Sequence, residues 1–138
     1  MKIAVLGAGA WGTAIGIYLG ARHEVRLWAR DAALVAALRA DRSNRRYLPG
    51  FPLPPSLTAV DDMSAAFDGA ELILAAVPTN GLRSTLRAVK ATGRTVPLVW
   101  LCKGFESEQA NLPHQVCAEE LAAGVPRAVR WPDRARRR

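Results

Sequence analysis

Three glycines at positions 7, 9 and 12, directly behind the apolar run Lys2–Leu6 (KIAVL), constrain this chain more than any other feature. An apolar run of this kind, ended by glycine, reads as a strand buried on both faces, as in parallel sheets. In Gly7-Ala8-Gly9-Ala10-Trp11-Gly12 the first glycine permits a tight turn. The second lets a ligand approach the backbone, and the third lets the following helix pack closely on the strand. A helix that begins there offers unpaired N–H groups and a partial positive charge, which suit phosphate. Packing alone does not require three glycines at this spacing. Strand, glycine loop and helix in this order therefore point to a βαβ unit that holds the pyrophosphate of NAD or NADP.

Strand-like and helix-like segments alternate through the rest of the chain. Thr13–Leu19, with Ile15 and Leu19 four apart and small Ala14 and Gly16 nearby, reads as a helix packed closely on the sheet, and Glu24–Trp28 (EVRLW) as the second strand. Asp31 can cap a helix whose core stripe is Leu34, Val35 and Leu38. Residues Asp41 to Ser56 are polar and then proline-rich, and read as a long ordered loop. Leu57–Val60 reads as a short strand, followed by a helix capped at Asp61 or Asp62 and ended by Gly69. Glu71–Val77 (ELILAAV) is a buried strand stopped by Pro78, and Leu82, Leu86 and Val89 line the helix after it. Val96–Leu101 is another apolar strand, and Pro113–Leu121 a last helix. This alternation predicts an α/β fold, a doubly wound parallel sheet of Rossmann type, with the dinucleotide-binding domain over residues 1–126.

Charge is unevenly distributed. Of the net +7, residues 127–138 contribute +5, from six arginines against Asp133, and the rest of the chain only +2. Residues 127–138 thus read as a basic tail, disordered or aberrant, rather than as a nucleic-acid arm. Such an arm would spread its charge over a folded face with aromatics between, and only Trp131 offers itself. No apolar run reaches the roughly 18 residues that a membrane span needs. The N-terminal stretch is broken by glycines and lacks a basic region beyond Lys2, so it reads as strand, turn and helix rather than a leader. Cys102 and Cys117 fit no metal or CxxC pattern and read as reduced thiols of a cytoplasmic protein. His23 and His114 lack second ligands at metal spacing, and no nucleophile–base arrangement is evident. The expectation is no metal, no membrane, no nucleic acid, and no catalytic residue of its own in this chain.

Two positions near expected strand ends carry cofactor chemistry. Nucleotide-binding units that prefer NAD place an acid about 20 residues past the glycine loop, where it bonds the ribose 2′-hydroxyl. Here the sequence is Trp28-Ala29-Arg30-Asp31. Arg30 can pair with a 2′-phosphate and so favours NADP; alternatively Arg30 is merely exposed, and Asp31 caps the helix or is itself the ribose acid. Lys103 follows a central strand at its carboxyl end, where open α/β sheets bind ligands, and can serve an anion as a point charge. From position alone, an ordinary solvated lysine fits as well.

With these residues in hand, the chain resembles the bacterial NAD(P)-dependent glycerol-3-phosphate dehydrogenases. MKIAVLGAGAWGTA, HEVRLWARD (His23–Asp31), N-x-x-YLPG (Asn44–Gly50), the strand ending in Val77-Pro78, and VWLCKGFE (Val99–Glu106) match that family's blocks in order, from Met1 to about Pro126. The resemblance implies reduction of dihydroxyacetone phosphate, a small-molecule phosphate substrate, to sn-glycerol 3-phosphate for phospholipid synthesis. It implies that Ala10, Trp11 and Arg30 contact the cofactor, that Tyr47 is a further candidate there, and that Lys103 lies between cofactor and substrate. It also implies a homodimeric full-length enzyme and an all-helical C-terminal domain carrying the general-base lysine. The S-G-P-[ST]-F-A block expected after Val129 is replaced by RWPDRARRR, so the chain reads as an N-terminal piece. The competing reading is a free-standing NAD(P)-binding module or sensor without catalysis.

Overall fold

The structure is a computed structural model that describes residues 1–121 and the backbone of residues 128–130. Strand β1 (Lys2–Leu6) leads into α1 (Ala10–Gly20), and β2 (Glu24–Trp28) into α2 (Ala32–Asp41). A hairpin of β3 (Ser43–Asn44) and β4 (Leu48–Pro52) follows, then β5 (Leu57–Val60) and α3 (Met63–Phe67). After these come β6 (Leu72–Ala75), α4 (Thr79–Ala91), β7 (Leu98–Trp100), α5 (Pro113–Leu121) and β8 (Ala128–Arg130). The main sheet has six strands in the order β5-β2-β1-β6-β7-β8, and every neighbouring pair is parallel. The chain starts at the centre, winds outward to β5, then returns beside β1 and winds the other way. Between β1 and β6 the direction reverses, and a crevice opens at the strands' carboxyl ends, the place where such sheets bind ligands.

Side chains alternate across a strand with a period of two, so each central strand feeds two cores. Ile3 and Val5 of β1 join Val25, Leu27, Val35, Leu38 and Leu57 on one face. Ala4 and Leu6 join Ile73, Ala75, Leu82, Leu86, Val89 and Val116 on the other. Both faces being covered explains why β1 is apolar at nearly every position.

Helix α1 packs closely on the sheet, as its small residues predict, but its bounds differ. It begins at Ala10 rather than Thr13, and its buried residues are Gly12, Thr13, Gly16 and Gly20; Ile15 and Leu19 are half-buried. The helix lies too close to the sheet for an aliphatic stripe. A Cβ on Gly16 would stand 3.1 Å from Leu57 Cδ1.

The loop expected over residues 41–56 contains the β3–β4 hairpin instead. Arg42 ends α2 in the left-handed region (φ 51°), and its guanidinium donates to the carbonyls of Pro54 (2.7 Å) and Leu57 (3.0 Å). Leu53 N–H donates to the Arg42 carbonyl at 2.8 Å. Pro49 and Pro52 are admitted because both strands of this two-stranded unit are edges, where a missing N–H is tolerated. The strands expected over 71–77 and 96–101 are shorter, spanning Leu72–Ala75 and Leu98–Trp100, and the residues that follow them, from Ala76 and from Leu101, line the crevice. Strand β8, residues 128–130, pairs in parallel with β7 and lies past the expected domain boundary at 126. The remaining residues of the expected tail, 127 and 131–138, lie outside the described residues. Among the described residues no helix is long and apolar enough to cross a membrane.

Candidate functional site

At the crevice the loops after β1, β2, β6 and β7 surround a cleft of about 1000 Å³. Gly7, Gly9, Ala10, Trp11, Arg30, Tyr47 and Lys103, singled out from the sequence, all line it. Gly12 stands behind the cleft, buried in the first turn of α1. Ala76 to Gly81, at the end of β6 and the start of α4, form the opposite wall.

The three glycines meet three different constraints. Gly7 has φ +111°, and a Cβ there would lie 2.7 Å from the Ala76 carbonyl oxygen. On Gly12 a Cβ would lie 2.9 Å from the carbonyl carbon of Gly7 and inside contact distance of its oxygen. Gly9 differs: a Cβ there would meet no protein atom within 4 Å. Nothing in the fold forbids a side chain at Gly9, and the open space in front of it belongs to the cleft. Gly9 is also the N-cap of α1, with no side-chain cap and no acid in the first turn. Uncapped N–H groups with a positive dipole end suit a pyrophosphate, so the residues present fit the group that the glycine spacing implies.

On the β2 side, Arg30 is exposed at the cleft wall. The Asp31 Oδ1 accepts from the N–H groups of Ala33 (2.9 Å) and Leu34 (3.3 Å), capping α2 as expected, and its Oδ2 lies 3.5 Å from Arg46 Nη1. Sequence reasoning assigned no role to Asn44, although it opens the N-x-x-YLPG block. Asn44 is buried, and its Nδ2 donates to the Ala8 carbonyl (3.0 Å) and to Thr13 Oγ1 (2.8 Å). Its Oδ1 accepts from Tyr47 N–H at 3.1 Å. One amide thus ties the glycine loop, α1 and the turn carrying Tyr47 together. A buried amide with each end occupied is a polar contact the fold cannot replace with an apolar one.

Across the cleft, Lys103 follows β7, and its carbonyl accepts from Thr79 Oγ1 at 2.7 Å. Asn80 and Ser107 exchange two hydrogen bonds, at 2.7 and 2.9 Å, between α4 and the loop beyond Lys103. Glu106, in the KGFE block, is buried and takes Arg83 in bidentate fashion, at 2.6 and 3.2 Å. Arg83 also reaches Glu120 (2.7 Å) and Glu119 (2.7 Å), and Arg87 reaches Glu120 at 3.0 Å. Arg83 holds the Glu106 carboxyl below the usual carboxylate range, and Arg87 with Arg83 does so for Glu120. Cys102 lines the cleft beside Lys103, but burial raises its thiol pKa, and burial pushes Cys117 up to about 12. Neither is activated as a nucleophile.

Strand order, glycine loop at the switch point and cleft beyond it together define a dinucleotide-binding domain of Rossmann type. Residues 2–129 match the family model for the N-terminus of NAD-dependent glycerol-3-phosphate dehydrogenase, and the chain belongs to that family. It is 50% identical over 133 residues to the glycerol-3-phosphate dehydrogenase [NAD(P)+] of Nitrosospira multiformis, covering 94% of this chain and 40% of the relative. The enzyme of the same name from Thiobacillus denitrificans is 50% identical over 129 residues, covering 94% of this chain and 39% of its own length. Among solved structures, the crystal structure of glycerol-3-phosphate dehydrogenase from Coxiella burnetii superposes with a TM-score of 0.82 at 35% identity, covering 87% of this chain and 37% of that one. The chain thus spans about two fifths of the length of the curated relatives it matches.

The glycines separate folding from binding. Gly12→Ala is expected to lower stability by about 1–3 kcal/mol, since backbone must move to admit the methyl. Gly9→Ala is expected to change stability by less than about 1 kcal/mol while lowering nucleotide affinity at least tenfold. Urea unfolding beside a nucleotide titration checks both, and unchanged affinity in Gly9→Ala contradicts the assignment of that space.

The Arg83 cluster predicts how acid acts. Carboxylates with lowered folded pKa values add stability above their unfolded pKa, near 4.5, and lose it as pH falls through the folded values. Between about pH 6 and 3 the melting temperature of the wild type should fall more steeply than that of Arg83→Met, the two curves converging in acid. Parallel curves would show that the cluster does not couple to folding.

Proposed function

We propose that this chain is the nucleotide-holding part of an enzyme that reduces dihydroxyacetone phosphate to sn-glycerol 3-phosphate with NADPH or NADH, a step that supplies phospholipid synthesis. The observation that carries this reading is the cleft itself. Gly9 faces open space at an uncapped helix N-terminus, and Lys103 stands on the same cleft beyond the switch point. Family membership supplies the substrate class.

In this reading Gly7, Gly9, Ala10, Trp11 and Gly12 form the pyrophosphate side, Arg30 and Tyr47 the adenosine side, and Lys103 the side shared with substrate. When bound, the reduced nicotinamide supplies the hydride. The chain's own residues bind and orient. Lys103 offers a fixed positive charge to a phosphorylated ketone, and Thr79 and the Arg83–Glu106 pair hold its loop in place. The remaining titratable groups on the cleft are Arg30, Asp31, Tyr47 and Cys102. Asp31 is committed to its cap and to Arg46, so the described residues offer no carboxylate or imidazole to pair with Lys103 for proton transfer. Assembly as a homodimer and residence in the cytoplasm belong to the same proposal, as does a domain boundary near the end of the family match at 129.

Arg30 is exposed at the cleft wall after β2, and Asp31 is already engaged. Arg30→Asp is therefore expected to weaken NADPH about ten- to a hundredfold while leaving NADH within a few-fold. Titration of both nucleotides against both proteins decides it, and equal losses mean Arg30 does not read the 2′-phosphate.

The 138-residue chain assayed as it stands is expected to bind nucleotide without steady turnover of dihydroxyacetone phosphate. Missing acid–base help costs about 10²–10⁴-fold, and poor substrate orientation adds to that. NADPH oxidation at roughly 1–10³ per second would overturn the reading that the catalytic acid–base group lies outside this chain.

A further inference from the structure

We propose that Arg46 is a specificity-determining residue that lets this cleft accept a 2′-phosphorylated dinucleotide by neutralising Asp31. The inference rests on the reading of the cleft as a dinucleotide site.

A carboxylate just past the second strand recognises an unphosphorylated ribose and repels a 2′-phosphate. Asp31 is such a carboxylate: it lines the cleft beside Arg30. The fold also needs it, because its Oδ1 caps α2. The chain therefore carries at one wall both the arginine that favours a 2′-phosphate and the acid that opposes it. Arg46 resolves the conflict. Its Nη1 lies 3.5 Å from Asp31 Oδ2, the oxygen that the cap leaves free.

Arg46 is held in that place from two directions. Its guanidinium carbon stands 5.0 Å from the centroid of the Tyr47 ring, a cation–π contact. The turn that carries both residues is fastened through Asn44 to the glycine loop. Neighbouring Arg45 pairs instead with Asp41 at 3.5 Å, so Arg46 is the member of the pair directed to Asp31. Asp31 and Arg46 also share the wall of a hollow of about 270 Å³ next to the cleft, with Leu34 common to both. Both partners are more than half exposed, so the pair adds little to folding stability. Its consequence is electrostatic: with Arg46 in place, Arg30 acts as an uncontested cation toward a 2′-phosphate.

The experiment titrates NADPH and NADH against the wild-type chain, Arg46→Gln, Arg46→Lys, and Arg46→Gln combined with Asp31→Asn. Asparagine caps helices as well as aspartate, so the second substitution removes the charge and keeps α2 intact. Arg46→Gln should lower the NADPH-to-NADH affinity ratio about three- to fivefold, mainly through NADPH. Arg46→Lys should keep the ratio within about twofold of wild type, and adding Asp31→Asn to Arg46→Gln should restore it. A role confined to folding would move both affinities together and would not be rescued by Asp31→Asn. An unchanged ratio in Arg46→Gln, or no rescue, overturns the role of Arg46 while leaving the dinucleotide reading standing. A wild-type chain that binds neither nucleotide overturns the broader reading and this one with it.

Discussion

Gly12 rests against the Gly7 carbonyl so closely that no β-carbon fits between them, and this backbone contact fixes where α1 begins. The helix start then fixes the rest of the site. Gly9 becomes the N-cap facing the cleft, and Thr13 is buried one turn in, where its hydroxyl accepts from Asn44. Gly16 and Gly20 continue the same close approach along the helix, above Leu57 and beside Pro54. A larger residue at the first contact would shift the N–H groups that face the ligand. Anion recognition and helix–sheet packing are therefore set by one geometry.

Polar side chains, rather than apolar ones, connect the loops around the cleft. Asn44 links the glycine loop to the 44–47 turn, and Asp31 links α2 to the same turn through Arg46. On the other wall Thr79, Asn80 and Arg83 of α4 hold the loop that follows β7. Glu106 is buried and Arg83 partly so, and the bidentate geometry of the pair, with further acids on Arg83, offsets the cost of desolvating the carboxylate. Loops tied in this way can present side chains to a ligand at fixed positions, which apolar packing alone would not achieve outside the core.

The sheet was legible because its signals are local. The apolar runs at Lys2–Leu6 and Glu71–Val77, the glycine spacing, and the stripe Leu82, Leu86, Val89 each speak for one element and agree with one another. The Asp31 cap was legible for the same reason. What escaped sequence reasoning depends on distant partners. Proline-rich text hid the β3–β4 hairpin, whose order comes from Arg42 reaching Pro54 and Leu57. In α1 the small residues announced a close approach to the sheet, but not that Ile15 and Leu19 stay half-buried while Gly12, Gly16 and Gly20 are buried. Asn44, Arg46, Arg83 and Glu106 act through partners up to 37 residues away, and no spacing rule pairs them. The blocks N-x-x-YLPG and KGFE contained Asn44 and Glu106, but a block does not say which of its members face inward.

The tethers around the cleft stay on their own sides of the switch point. Asn44 and Arg46 bind within the half built on β1, β2 and β5, and Thr79, Asn80 and Arg83 within the half that starts at β6. At the crevice the halves meet through main chain, where the Ala76 N–H donates to the Leu6 carbonyl at 2.8 Å and Gly7 abuts Ala76. The spacing between the Arg30 wall and the Lys103 wall is consequently set by the β2-β1-β6-β7 ladder, whose rungs are about 4.8 Å apart. The sheet behaves as a ruler. A molecule long enough to touch both walls engages two independently braced sets of side chains, whereas half of such a molecule engages only one.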